Sequence, residues 1–108
     1  MNQIFNFTLA PRGIFTLKEV LDHPGMIEML MKLQQDKIRT PEQKLRSFLT
    51  YYHTMDFSAQ LMGEGIFLDD ATFHNLISLC ERVVAETFYE IMKSFSKKDK
   101  KKLISLFQ

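Results

Sequence analysis

The 108-residue sequence has no tryptophan, one cysteine and no long apolar run. Because Cys80 is alone, an internal disulfide framework is excluded, and this cysteine usage is typical of a reducing compartment. No stretch of about eighteen consecutive apolar residues predicts a membrane span. The first residues also lack the basic segment and apolar run of a secretory signal. We therefore expect a cytoplasmic protein without a membrane partner.

The sequence also lacks an excess of either charge. Fourteen Lys and Arg residues face thirteen Asp and Glu residues, and the formal net charge is +1. This balance predicts no strong overall attraction to nucleic acid or to anionic lipid. Hydrophobic residues make up 45% of the chain, so the composition differs from that of disordered proteins. Length and composition together indicate one globular domain.

Motifs that bind cofactors are missing as well. There is no glycine-rich phosphate loop, no zinc-ligand spacing and no nucleophile elbow. The carboxylates of the segment 63–70, GEGIFLDD, do not follow the EF-hand pattern. Cys80 lies on the apolar face of a predicted helix, where a thiol acts as a small hydrophobic group. We expect no metal and no cofactor, and binding in preference to catalysis.

The beginning of the chain differs in pattern from the rest. Phe5, Phe7 and Leu9 alternate with Asn6, Thr8 and Ala10, and this period of two predicts an extended segment. The turn residues that follow, in the segment APRG, separate it from the first helical signal. We expect residues 1–15 to form an extended N-terminal arm and residues 16–108 to form a single helical domain.

Capping residues mark the helix boundaries in that domain. The side chains that satisfy backbone N–H groups at helix starts are Thr16, Thr40, Asp69 or Asp70, and Ser96. Together with apolar periodicity they predict helices over 17–23, 25–37, 41–62, 70–95 and 97–107. The expected fold class is all-α, a four- to five-helix bundle with a short extended N-terminal arm.

Two of these helices are apolar over a wide arc. Helix 70–95 has one narrow apolar stripe, whereas helices 25–37 and 41–62 have arcs broader than one neighbouring helix covers. The residues predicted at a partner interface are Met26, Met29, Leu30, Leu33, Tyr51, Phe57 and Leu61. Our first hypothesis is a small cytoplasmic interaction or regulatory module. It would bind a second copy of itself, as a homodimer, or another protein.

A second hypothesis concerns Arg46 and His53. Seven positions are close to two helical turns, so both side chains lie on one flank of helix 41–62. The spacing resembles the Arg-x4–6-His motif of HEPN domains, which are all-helical, often dimeric, and include metal-independent ribonucleases. The resemblance implies RNA binding or cleavage, with an Arg on the phosphate and a His moving a proton. Family members usually have Asn, Asp or His where Ser47 stands, and Arg46 is also placed to pair with Glu42.

A third hypothesis rests on the lysines near the end of the chain, which are Lys97, Lys98, Lys100, Lys101 and Lys102. Contact with phosphates alone would give weak, salt-dependent binding of nucleic acid. The preceding segment 55–95 has two basic and seven acidic residues, whereas 96–108 has five basic and one acidic. We therefore favour a last helix that folds back on helix 70–95, with its lysines facing water or that acidic neighbour.

Overall fold

A computed structural model describes residues 16–108 of the chain, and all regular structure in this range is helical. The helices are α1 (Leu17–Asp22), α2 (Met26–Gln35), α3 (Pro41–Gly63), α4 (Asp70–Ser94) and α5 (Lys97–Ser105). The predicted all-α class and four- to five-helix bundle are confirmed, with five helices in the described residues. The predicted arm, residues 1–15, lies outside the described residues.

The predicted capping residues begin four of the helices. Thr40 and Gln43 form a reciprocal capping box, with bonds of 3.2 and 2.9 Å between side chain and backbone. The side chains of Thr16 and Ser96 accept backbone N–H bonds three residues ahead. Asp69, and not Asp70, caps α4 by accepting from the Thr72 N–H at 2.8 Å. Every predicted helix start is within one residue of the observed one.

Helix α2 instead begins at a glycine with no side-chain cap. Gly25 has φ of +85°, which is the left-handed region that L side chains rarely adopt. A Cβ at this position would also lie 3.3 Å from the Tyr51 hydroxyl. Backbone conformation and close approach both favour glycine here, and the turn lets α2 fold back beside α3.

The main core draws on all five helices. Phe48, on α3, is fully buried, and its ring centroid lies 5.4 Å from that of Phe107 near the end of the chain. The buried residues of this cluster are Leu17, Val20, Met26, Leu33, Leu45, Phe48, Leu49, Tyr52, Val84, Phe88, Ile91, Met92, Phe95, Leu103 and Phe107. Helix α3 supplies the centre, and the other helices cover it.

A second, smaller core joins the far halves of α3 and α4. It consists of Phe57, Leu61, Leu76 and Cys80, with Leu68 packed against it. Because Leu45 lies near Phe88 and Met92 while Phe57 lies near Cys80, α3 and α4 form an antiparallel hairpin. Helix α3 is therefore covered on two sides along its length.

This arrangement corrects part of the predicted interface. Met26, Leu33, Phe57 and Leu61 are buried within the chain, so they do not form an outer face. Met29, Leu30 and Tyr51 are half-buried and pack against the main core. The wide apolar arc of α3 is buried because α3 contacts α2, α4 and α5 and shares the main core with side chains of α1.

Helix α5 docks by its apolar side, as its sequence indicates, but against different neighbours. Leu103 and Phe107 are buried, and the helices that α5 contacts most are α1 and α3. The Asp99 carboxylate accepts a 3.2 Å bond from the Leu17 N–H, which joins the start of α5 to α1. The expected packing along acidic α4 is thus corrected, since apolar contact and this bond decide the position of α5.

Helix α4 changes direction near its C-terminal end. Thr87 has non-helical dihedral angles, φ −117° and ψ 18°, and its hydroxyl donates to the Val83 carbonyl at 2.6 Å. Such back-bonding by threonine often bends a helix. The segment before Thr87 reaches the second core, and the segment after it, beginning with Phe88, packs in the main core.

The position of Phe48 yields a stability prediction. Phe48→Ala should lower the free energy of unfolding by about 3–5 kcal/mol, because it leaves a cavity where α3 meets Phe107. The measurement is urea unfolding followed by circular dichroism. Ile38→Ala is the matched control, since Ile38 is 95% exposed and its loss should change the free energy by less than about 0.5 kcal/mol. Equal effects of the two substitutions would contradict this core.

Candidate functional site

Large apolar side chains are exposed where α3 turns into α4. In this tip, which we define as residues 62–70, Phe67 is 75% exposed and Met62 is 54% exposed. Ile66 between them is also exposed, while Leu61 and Leu68 on either side pack in the second core. The tip is thus anchored to the hairpin and presents three apolar side chains outward.

Backbone hydrogen bonds order the first part of the tip. The Ile66 N–H donates to the Leu61 carbonyl at 2.9 Å, and the Gly65 N–H donates to the Met62 carbonyl at 3.0 Å. With Gly65 at φ +83°, this pair of bonds is a Schellman motif, which satisfies carbonyls at a helix end. The backbone of Ile66, next to Phe67, is therefore held in place by the helix terminus, which lowers the conformational entropy that this part of the tip loses on binding.

The tip is also acidic. Glu64, Asp69 and Asp70 are exposed, and residues 62–70 contain no basic side chain. Hydrogen bonds from the Thr72 side chain and backbone hold the pKa of Asp69 below its ordinary value. Asp69 is therefore ionised at neutral pH, and the tip combines apolar side chains with negative charge.

A groove lies at the opposite end of the hairpin, between the start of α3, the end of α4 and α5. It encloses about 300 Å³. Its lining residues are Pro41, Glu42, Leu45, Phe88, Tyr89, Met92, Lys93, Lys100 and Ile104. The groove is mainly apolar and has two lysines on it, so its chemistry is opposite in charge to that of the tip.

The five lysines predicted as a nucleic-acid site fall into two groups, one that lines this groove and one that does not. Lys100 is half-buried and lines it, together with Lys93 of α4. Lys97, Lys98, Lys101 and Lys102 are exposed on the first turns of α5. Binding of nucleic acid by these side chains stays a prediction, and the described structure adds no aromatic side chain interleaved with them.

A second cavity, the arginine pocket, lies where α2, α3 and α4 meet. It has a volume of about 380 Å³. Its lining residues are Met29, Arg46, Ser47, Thr50, Tyr51, Thr54, Ile77, Glu81, Val84 and Ala85. The pocket therefore has apolar walls, one guanidinium, one carboxylate and several hydroxyl groups.

Arg46 forms the wall between the groove and the arginine pocket. Its guanidinium carbon lies 4.9 Å from the ring centroid of Phe88, a cation–π contact with a residue that lines the groove. Its Nη2 lies 3.9 Å from Glu42 Oε1, at the outer limit of an ion pair. Its Nε is buried and has no hydrogen-bond partner among residues 16–108.

Arg46 and His53 are not brought into one cavity. They share a flank of α3 but are separated by about 10 Å along its axis. Arg46 lines the arginine pocket, whereas His53, which is half-buried, is not one of its lining residues. The contacts of Arg46 run toward Glu42 and Phe88. The HEPN-like interpretation of this pair stays a prediction that these contacts do not favour.

Cys80 is in the second core and not in a reactive setting. Burial raises the pKa of its thiol, and a hydrogen bond with Thr54 opposes part of that rise. The Thr54 hydroxyl itself donates to the Thr50 carbonyl at 2.8 Å. Within residues 16–108 there is also no group of three or more His, Cys, Asp or Glu side chains placed to hold a metal ion.

No protein-family model, curated protein or solved structure matches this chain. Across the described helices, none has the length and apolarity that a bilayer crossing demands. Three features therefore carry the functional inference: the acidic apolar tip, the groove with two lysines, and the arginine pocket.

The burial of Cys80 yields a prediction for its reactivity. In the folded protein at pH 8, the thiol should react with a disulfide reagent at least about a hundredfold more slowly than in urea, because only locally opened molecules expose it. The absorbance of the released chromophore measures the rate. The chain has one cysteine, so the signal has a single source. Equal rates in the two conditions would place the thiol at the surface.

Proposed function

We propose that this protein is an interaction module that acts as a homodimer, with the tip of each copy seated in the groove of the other. The observation that carries the proposal is the complementarity of these two surfaces. Phe67 is the most exposed aromatic side chain of the described residues. The groove is an apolar concavity at the other end of the same hairpin.

The apolar part of the contact is a side chain entering a cavity. Burial of one phenylalanine side chain contributes about 1.5–3 kcal/mol, and anchors of this kind dominate protein interfaces. The groove offers Leu45, Phe88, Met92 and Ile104 as partners for it. Its volume of about 300 Å³ is sufficient for Phe67 together with part of Ile66.

Charge supports the same pairing. The carboxylates of Glu64, Asp69 and Asp70 would approach Lys93 and Lys100 on the groove. The exposed lysines of α5 are neighbours of Lys100 in the sequence. Their positive charge exceeds the negative charge of Glu42, the one acidic residue that lines the groove. Complementary charges at the rim of an interface accelerate encounter and fix orientation, with a modest gain in affinity.

We expect a closed pair from the positions of the two surfaces. Leu45 in the groove and Gly63 at the tip are eighteen residues apart on α3, roughly 27 Å along its axis. Two hairpins side by side in antiparallel order would therefore make the tip–groove contact twice. Such a two-fold arrangement uses up both surfaces and does not grow further. A different protein with a similar basic, apolar groove would compete for the tip, which gives the dimer a regulatory use.

Removing the apolar anchor tests this proposal. Phe67→Ser should weaken the dimer by on the order of a hundredfold or more, because the symmetric pair loses two buried rings. Sedimentation velocity across a concentration series measures the dissociation constant. Ile38→Ser is the matched control, since Ile38 is exposed but lies outside both surfaces. A wild-type protein that stays monomeric at a concentration on the order of 100 micromolar would refute the dimer. Growth into longer assemblies would refute the closed pair.

Charge reversal tests the orientation of the pair. Replacing Glu64 and Asp70 by Lys should weaken the dimer by about tenfold, and replacing Lys93 and Lys100 by Glu should do the same. Combining all four substitutions should restore most of the affinity, because opposite charges then face each other again. Sedimentation at low and high salt gives the measurement, with the wild-type dimer weaker at high salt. Failure of the combined variant to recover would contradict tip–groove contact.

A further inference from the structure

The arginine pocket is a cavity that the proposed dimer does not use. It lies among α2, α3 and α4, and the stacked pair of Arg46 and Phe88 separates it from the groove. Its volume of about 380 Å³ is within the range typical of small-molecule pockets, which are mainly apolar with a few placed polar groups. A ligand could therefore enter the arginine pocket whether or not the protein forms the dimer.

Arg46 has hydrogen-bonding capacity that residues 16–108 do not satisfy. Its Nη2 lies 3.9 Å from Glu42 Oε1, at the outer limit of an ion pair, and the side chain is 39% exposed. The Nη donors are therefore available to a ligand in the pocket, whereas the Nε donor is buried. The planar guanidinium matches the two oxygens of a carboxylate in a bidentate arrangement. The pocket thus contains a group suited to a carboxylate.

The rest of the lining determines what accompanies the carboxylate. Met29, Ile77, Val84 and Ala85 give the pocket apolar walls, which favour a hydrocarbon body. The hydroxyl of Thr54 is already committed to the Thr50 carbonyl. A small apolar molecule with one polar end would therefore leave few groups of the pocket unsatisfied.

Glu81 supplies selectivity at the other end. The antiparallel hairpin puts Phe88 beside Arg46, and Glu81 precedes Phe88 by seven residues, roughly 10 Å along α4. Within residues 16–108 no ion pair neutralises the Glu81 carboxylate. A ligand with negative charge at both ends would therefore be repelled at this end.

We propose that the arginine pocket binds a small organic monocarboxylate, with the carboxylate on Arg46 and an apolar chain extending toward Glu81. The structure favours monocarboxylates of about six carbons over dicarboxylates of the same length and over inorganic phosphate. The ligand is held by charge-assisted hydrogen bonds at one end and by apolar contact along its body.

Titration with hexanoate tests the carboxylate end. Wild-type protein should bind with a dissociation constant on the order of 0.1–1 mM, measured by calorimetry, and the NMR signals of the Arg46 Nη–H groups should shift. Arg46→Gln should weaken binding at least about tenfold, and Arg46→Lys, which keeps the charge but loses the fork, should also weaken it. Arg82→Gln, at an exposed position of α4, is the matched control and should bind as wild type.

Adipate and inorganic phosphate test the selectivity. Wild-type protein should bind adipate and phosphate at least about tenfold more weakly than hexanoate, and Glu81→Gln should improve adipate binding by a similar factor. Glu86→Gln, another exposed carboxylate of α4, should not change it. Circular dichroism checks that each variant is folded.

Four results would overturn the assignment. One is no hexanoate binding by the folded wild-type protein. Another is equal binding by folded wild-type and Arg46→Gln proteins. The third is a loss of binding in Lys93→Gln without a loss in Arg46→Gln, which would move the ligand to the groove. Tighter binding of phosphate than of hexanoate would also exclude the proposed ligand class.

Discussion

The antiparallel contact of α3 with α4 is the constraint on which the other features depend. Helix α3 has apolar side chains over a wide arc, and burial of that arc needs one neighbour on each side. Helices α1, α2 and α5 cover the first half around Phe48, and α4 lies along both halves, in the main core with Phe48 and in the second core with Phe57. The tip exists because the hairpin must turn, and the groove lies where α5 meets the ends of both helices.

The boundary between the two cores explains where the arginine pocket lies. Thr50 and Thr54 are buried there, and the Thr54 hydroxyl donates to the carbonyl one turn back. Thr54 also makes a hydrogen bond with Cys80 of α4, and both threonines line the arginine pocket. Phe88, which follows the bend at Thr87, stacks against Arg46. The pocket therefore lies between the two cores, with small polar side chains of α3 in its wall.

The sequence was sufficient to predict the helices, because the signals that mark their ends and faces are local. Caps such as Thr40 with Gln43 and Asp69 with Thr72 depend on residues three positions apart, and apolar periodicity gives the rest. The sequence was insufficient to predict the interface, because a wide apolar arc does not show which helix or partner covers it. Phe57 and Leu61, for example, are covered by α4 of the same chain. The neighbours of α5 depend on contacts between distant parts of the chain, which are the burial of Leu103 and Phe107 and the bond from the Leu17 N–H to Asp99. A signal for the tip was present in Ile66 and Phe67, two apolar residues between turn glycines and a cap. The sequence contained no such signal for the arginine pocket, because its lining residues come from three different helices.

The formal charge of +1 conceals a strong separation of charge. The tip has three carboxylates and no cation, while the groove and the first turns of α5 have the lysines at the other end of the hairpin. A molecule with this distribution repels a copy placed parallel to it and attracts one placed antiparallel. Near-zero net charge removes the general repulsion that keeps proteins apart. Local charge is therefore the electrostatic basis of the antiparallel pair that we propose, although the overall charge balance gives no sign of it.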